Sequence, residues 1–157
     1  MDEIITKSKV YVKIDAGGKI IRCEGGYTTP ADLTGWTEID EGTGDRFNLA
    51  QSNYFPDGIY TEDGIPKYKL LDGKAVERAP EEMEADRVPL RAAAARAKRD
   101  KLLAETDWTQ TLDAPVTEDS KTALRAYRQA LRDLPEQTGW PESVIWPTIP
   151  KIEKAAP

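Results

Sequence analysis

The segment TEDSKTALRAYRQALRDL, residues 117–134, decides the fold of the C-terminal part of the chain. Thr117 suits the N-cap of a helix, because its hydroxyl can accept a hydrogen bond from a backbone N–H of the first turn. One apolar stripe follows at helical spacing, formed by Leu124, Tyr127, Leu131 and Leu134. Such a helix is stable mainly when its stripe is buried. We therefore predict a helix that packs against a second element and ends at Pro135.

A second helix is predicted directly upstream. The segment LRAAAARAKRDKLLAET, residues 90–106, is rich in strong helix formers, and its basic residues lie near the C-terminal end, where cations are favourable. Pro80 suits the first position of a helix, whereas Pro89 predicts a kink or a restart. Downstream, GWPESVIWPTIP, residues 139–150, predicts an extended tail because of its prolines.

The N-terminal half has a different pattern. In KVYVKI, residues 9–14, apolar residues alternate, with Val10, Val12 and Ile14 on one face. A glycine-containing turn follows, and then KIIRCE reads as the return strand of a hairpin. The aromatic and polar stretch from Phe47 to Phe55 fits either a loop or a twisted strand. This half is therefore predicted to be all-β and rich in turns.

Together these patterns predict an α+β fold with two domains. A small antiparallel β-domain spans residues 1–78. A helical domain spans residues 79–150 and comprises a long kinked helix, a second helix and an extended Trp/Pro-rich tail. Residues 151–157 are expected to form a frayed tail.

Composition excludes several classes of protein. The chain carries 22 basic and 28 acidic residues, for a net charge of −6, and neither half is basic, so we expect no nucleic-acid partner. No apolar run approaches the about 18 residues that a membrane-spanning helix needs, so no membrane partner is expected. The opening sequence MDEIITKSKV shows no secretory signal. Cys23 is the only cysteine, which rules out an intrachain disulfide and fits a reducing cytosol.

Nothing in the sequence predicts an enzyme, a metal site or a bound cofactor. Histidine, the commonest general base and a common metal ligand, is absent. The acidic stretch from Glu38 to Asp45 lacks the alternating ligand positions of a calcium loop and is interpreted as an acidic hairpin turn. The carboxylates of Glu105, Asp107 and Asp113 are expected to lie at helix ends and turns, where such residues cap or face solvent.

The segment from Arg99 to Pro147 resembles the phage tail-assembly chaperone family. In that family a helix ending in R-D-x-L-L runs into T-D-W, and a D-A-P turn, a helix containing Y-R-Q-A-L-R-D and a W-P ending follow. This chain has these motifs at Arg99–Leu103, Thr106–Trp108, Asp113–Pro115, Tyr127–Asp133 and Trp146-Pro147. It departs from the pattern at Ala123, near a position where a tryptophan is expected.

The resemblance implies a protein that binds a tail-fibre or receptor-binding polypeptide and helps it to fold or trimerise. Such a chaperone would act in the cytoplasm of the bacterial host during assembly, and its oligomeric state is open. The alternative is a minor structural virion protein, such as a fibre or baseplate adaptor, that stays in the particle. Either the β-domain, by adding a strand, or the helical domain could contact the partner.

Six residues are candidates for partner binding. Tryptophan and tyrosine anchor many interfaces, but in a small helical domain they can equally form the core. Arg125, Arg128 and Arg132 recur at helical spacing, either as a solvated face or as a basic stripe for an acidic partner. The candidates are Trp108, Tyr127, Arg128, Arg132, Trp140 and Trp146.

Overall fold

A computed structural model describes residues 6–156 of the chain. Its contacts divide into two compact units, one up to Ala85 and one from Asp86 onward. The N-terminal unit contains antiparallel strands, and the C-terminal unit is helical, so the predicted α+β fold is confirmed. The long helix that ends the first unit continues into the second, and the division falls inside it.

The N-terminal unit is built on a three-stranded sheet in the order β2-β1-β3, with β1 at Ser8–Ile14, β2 at Ile20–Gly25 and β3 at Thr37–Gly42. Two further strands, β4 (Tyr68–Leu71) and β5 (Lys74–Glu77), form an antiparallel hairpin. The fully buried Val10 and Val12 confirm the predicted inward face. Ile14 is exposed instead, because the register of β1 with β2 shifts between Lys13 and Ile14.

The prediction of a loop or twisted strand from Phe47 to Phe55 is wrong. Two short helices occupy this stretch, α1 at Asp45–Asn48 and α2 at Ala50–Asn53. Helical spacing relates Phe47, Ala50 and Tyr54, the last of which directly follows α2, and all three pack in the core that contains Val10 and Val12. The free energy gained by burying this short apolar face favours helices, although the aromatic and polar composition suggested an extended chain.

Helix α3 spans Pro80–Glu105 without interruption, so Pro89 does not restart the helix. Its beginning is held by two charged side chains. The buried Arg78 donates hydrogen bonds to the carbonyl oxygens of Pro66 (2.7 Å) and Glu82 (3.1 Å). The carboxylate of Glu82 accepts hydrogen bonds from the backbone N–H of Ala79 (2.8 Å) and from Lys69 (2.8 Å).

The second helix of the C-terminal unit, α4, spans Glu118–Arg132. Thr117 caps it as predicted, since its hydroxyl accepts a hydrogen bond from the backbone N–H of Ser120 at 3.3 Å. The predicted apolar stripe is buried along its whole length. Single turns of 3-10 helix precede and follow α4, at Asp107–Gln110 and Leu134–Glu136.

The hydrogen bond from Lys69, followed by that from Ala79, lowers the pKa of Glu82. A lowered pKa in the folded state means that ionised Glu82 stabilises the fold above the ordinary pKa of glutamate, and that this contribution is lost as the pH falls through the lowered value. We expect Glu82→Gln to reduce stability at neutral pH and to make stability less sensitive to acid. Chemical denaturation at neutral pH and below the ordinary pKa of glutamate measures both effects. Glu81→Gln, an exposed neighbour, is the matched control, and equal acid sensitivity in the two variants would contradict the assignment.

Candidate partner-binding surface

The guanidinium of Arg128, on α4, closes the C-terminal end of α3. Its Nη1 donates to the carbonyl oxygen of Leu103 (2.6 Å) and to Oγ1 of Thr106 (2.7 Å), while Nη2 contacts Oδ1 of Asp107 (2.7 Å). Arg128 is only 7% exposed. The last carbonyls of a helix have no partner inside the helix, and the planar guanidinium can serve several acceptors at once. We call Arg128, Leu103, Thr106 and Asp107 the arginine clamp.

The clamp corrects the interpretation of the basic stripe. Arg125 and Arg132 are exposed, whereas Arg128 is buried and therefore belongs to neither a solvated face nor an exposed docking stripe. Its position explains this, because Arg128 lies four residues after Leu124 and three before Leu131, on the edge of the apolar stripe. The sequence carried a signal that we missed: the T-D of T-D-W supplies a hydroxyl and a carboxylate that can satisfy a buried guanidinium.

An aromatic and aliphatic cluster lies beside the clamp. Tyr127, Leu131 and Leu134 are buried at its centre. Burial, followed by the nearby charge of Glu105, raises the pKa of Tyr127, so its hydroxyl is neutral at physiological pH. Partly buried side chains surround this centre, namely Leu102, Leu103, Trp140, Val144 and Trp146.

Cations on α3 stack on both tryptophans of this cluster. The guanidinium of Arg96 lies 5.6 Å from the ring centroid of Trp140, and Nζ of Lys98 lies 4.2 Å from that of Trp146. These distances allow cation–π attraction. The basic end of α3, predicted from its charge alone, thus also contacts the aromatic rings, and each tryptophan combines packing in the cluster with a partly exposed surface.

Trp108 differs from the other tryptophans of this unit. It lies on the 3-10 turn after α3, is 47% exposed, and is not part of the cluster around Tyr127. Its backbone carbonyl accepts a hydrogen bond from Oγ1 of Thr111 at 3.2 Å. The six candidates thus separate into buried residues (Tyr127, Arg128), partly buried residues (Trp140, Trp146) and exposed residues (Trp108, Arg132).

A side chain that the sequence analysis missed fixes the path of the Trp/Pro-rich tail. The amide of Gln137 accepts a hydrogen bond from the backbone N–H of Ile145 (2.9 Å) and donates one to its carbonyl oxygen (2.8 Å). Gly139 is needed in the turn between them, because a Cβ there would clash with the carbonyl oxygen of Ser143. The peptide bond between Trp140 and Pro141 is cis.

The segment that we expected to fray pairs with the connector before α4. Val116 forms a bridge with Lys154, and the backbone N–H of Thr117 donates to the carbonyl oxygen of Glu153 at 3.0 Å. Oγ of Ser120 accepts a hydrogen bond from the backbone N–H of Glu153 at 2.9 Å. These bonds hold residues 153–155 beside the start of α4, because the connector offers unpaired backbone groups there.

The acidic stretch from Glu38 to Asp45 makes contacts within its own unit. Glu38 pairs with Lys9 (2.9 Å) and Glu41 with Lys7 (3.0 Å) across the sheet. Asp40 accepts a hydrogen bond from the hydroxyl of Tyr54 at 2.8 Å. Over residues 6–156, no group of three or more histidine, cysteine or acidic residues is arranged to hold a metal ion.

Cys23 lies in the core of the N-terminal unit. Its Sγ donates to the carbonyl oxygen of Ala50 at 3.6 Å. Burial, followed by the charge of Glu24, raises the pKa of the Cys23 thiol to about 12. The thiol is therefore protonated at neutral pH, and a protonated buried thiol is a poor nucleophile.

The C-terminal unit is thus a small two-helix module that is joined by a buried guanidinium and presents partly exposed aromatic rings. A family described as phage tail assembly chaperone protein matches residues 92–151, which include the clamp, the cluster and the Trp/Pro-rich tail. The resemblance of this segment to the family is confirmed. No curated protein and no solved structure matches the chain.

The family match supports a role in phage tail assembly with a phage tail protein as partner, and it favours a non-enzymatic role. The matched region, residues 92–151, includes all six candidate residues. Every helix between residues 6 and 156 is too short or too polar to span a lipid bilayer.

Removing the guanidinium of Arg128 should destabilise the helical unit. We expect Arg128→Met, which keeps the aliphatic stem, to lower the free energy of unfolding by about 2–3 kcal/mol, because the carbonyl of Leu103 and the hydroxyl of Thr106 lose a charged donor. The exposed carboxylate of Asp107 adds little, since solvent screens it. Arg125→Met, an exposed arginine on the same helix, should change stability by less than about 0.5 kcal/mol. Thermal unfolding followed by helical circular dichroism compares the two variants, and equal midpoints would show that the clamp is unimportant.

Proposed function

We propose that the chain is a tail-fibre assembly chaperone of a bacteriophage or prophage. It binds a fibre or receptor-binding polypeptide in the cytoplasm of the bacterial host and assists its folding or trimerisation, without catalysing a reaction. The observation that carries this proposal is the family match over residues 92–151, which coincides with the part of the chain that the arginine clamp and the aromatic cluster hold together.

The physical task of such a chaperone needs an interface and no chemistry. A fibre subunit is long and rich in β-strands, and its strand edges and apolar surfaces are open to wrong pairing until three chains meet. A partner that covers these surfaces for a time suppresses aggregation. Partly exposed aromatic rings suit this task, because they bury a large area and lose few rotamers when they bind.

The candidate residues would contribute to this interface in different ways. Trp108 and Arg132 are exposed, so they can contact the partner directly. Trp140 and Trp146 would contribute the part of each ring that the cluster leaves open. Tyr127 and Arg128 are buried, so they would not touch the partner and would instead support the surface that the other candidates form.

Co-expression with the polypeptide encoded next to this chain tests the proposal. We expect a recoverable complex, more soluble fibre and more fibre trimer than with an unrelated soluble protein. Unchanged fibre solubility and trimer yield, with no complex recovered, would refute a chaperone role. If the chain is instead found in purified phage particles, the alternative of a minor virion protein is favoured.

Tryptophan variants test which surface is used. We expect Trp108→Ala to weaken complex recovery, because the exposed ring is lost while the cluster stays intact. Trp36→Ala is the matched control in the N-terminal unit, where the ring lies near the cationic groups of Lys13 and Arg22. A loss of complex with Trp36→Ala alone would assign binding to the N-terminal unit instead.

A further inference from the structure

A cleft of about 360 Å³ lies within the C-terminal unit, between the connector that follows α3 and the first turns of α4. It is separate from the aromatic cluster, with which it shares no side chain. None of the six candidate residues lines it. The cleft is lined by Thr109, Gln110, Thr111, Leu112, Glu118, Lys121 and Arg125.

Leu112 is the one apolar side chain in this lining, and it is fully exposed. The turn that carries it is held on both sides. Oγ1 of Thr111 donates to the carbonyl of Trp108 (3.2 Å), and the backbone N–H of Ala114, itself buried, donates to the carbonyl of Thr111 (3.2 Å). A leucine presented to solvent on a hydrogen-bonded turn gains free energy when another apolar group covers it, and little ordering entropy opposes this.

The α4 wall of the cleft carries an unbalanced positive charge. Lys121 pairs with Glu118 at 3.0 Å, so these two opposite charges offset each other. Arg125 lies one turn further along α4 and is exposed, and its guanidinium makes no ion pair or hydrogen bond with any other residue between 6 and 156. In a chain with a net charge of −6, this guanidinium offers a local site for a carboxylate.

We propose that this cleft is the docking site for an acidic and apolar segment of the partner polypeptide. An aliphatic or aromatic side chain of that segment covers Leu112, and a nearby aspartate or glutamate pairs with the guanidinium of Arg125. The proposal rests on the chaperone function proposed above and names the chemistry that the partner must present. The negative charge of the rest of the chain adds selectivity, because an acidic segment is repelled elsewhere.

Two variants test the two halves of the cleft. Leu112→Ser removes the apolar contact, and Arg125→Glu reverses the charge. Binding to the tail-fibre polypeptide, measured by titration calorimetry, should weaken about tenfold or more for each variant. The effect of Arg125→Glu should shrink as salt concentration rises, since ions screen exposed charges, whereas that of Leu112→Ser should persist.

Matched controls lie on α3. Leu90→Ser changes another exposed leucine and Lys101→Glu another exposed cation, and both should bind as the unaltered chain does. All four variants should keep the same helical circular dichroism and melting temperature, because each changes an exposed side chain. An array of overlapping peptides from the fibre polypeptide gives an independent readout, and the captured peptides should combine acidic and apolar residues.

The outcomes separate this proposal from the one it rests on. If the complex forms and both cleft variants bind as tightly as their controls, the cleft is not the docking site, while the chaperone function stands. If the chain captures only basic peptides from the array, the cleft is likewise not the docking site, while the chaperone function stands. If the unaltered chain forms no complex with the fibre polypeptide, the chaperone function and the docking site are both wrong.

Discussion

The helical unit depends on one guanidinium. Two helices joined by a short connector bury too little apolar surface to fix their own geometry, and the carbonyls at the end of the first helix need donors. Arg128 joins the two helices and also supplies donors to the end of the first one, because it reaches from the second helix to Leu103, Thr106 and Asp107. Its remaining polar atom, Nε, has no hydrogen-bond partner among the described residues. The clamp therefore leaves one buried donor unsatisfied while it supplies hydrogen bonds to the end of the first helix and to the start of the connector.

The aromatic residues of this unit pack in a core that is too small to bury all of them fully. Tyr127 is buried, but Trp140 and Trp146 keep part of their surface open even though they pack on the cluster. Basic side chains of the long helix stack on these rings. A stabilising residue can therefore also present a contact surface, and this is why the sequence alone left core packing and partner contact as alternatives for the same tryptophans.

Features set by neighbours in the sequence were predicted well. The cap at Thr117 and the stripe from Leu124 to Leu134 depend on spacing within one helix, and both are confirmed. Features that depend on residues far apart in the sequence were not predicted. Arg128 was interpreted as a surface residue because its acceptors lie outside its own helix. The short helices α1 and α2 pack Phe47 and Ala50 into a core shared with the distant strand residues Val10 and Val12. The cleft beside Leu112 could not be predicted either, since it depends on how the connector lies against α4.

The buried state of Cys23 has a practical consequence for chemical labelling. It is the only cysteine of the chain, and it lies protonated in the core of the N-terminal unit. Maleimide and disulfide reagents react by attack of a thiolate on the reagent, so they should leave the native chain unmodified. A thiol introduced by Leu112→Cys would then be the single reactive position and would stand at the edge of the cleft. The chain is thus already suited to carrying one fluorophore or one photo-crosslinker at a chosen point, without prior removal of its own cysteine.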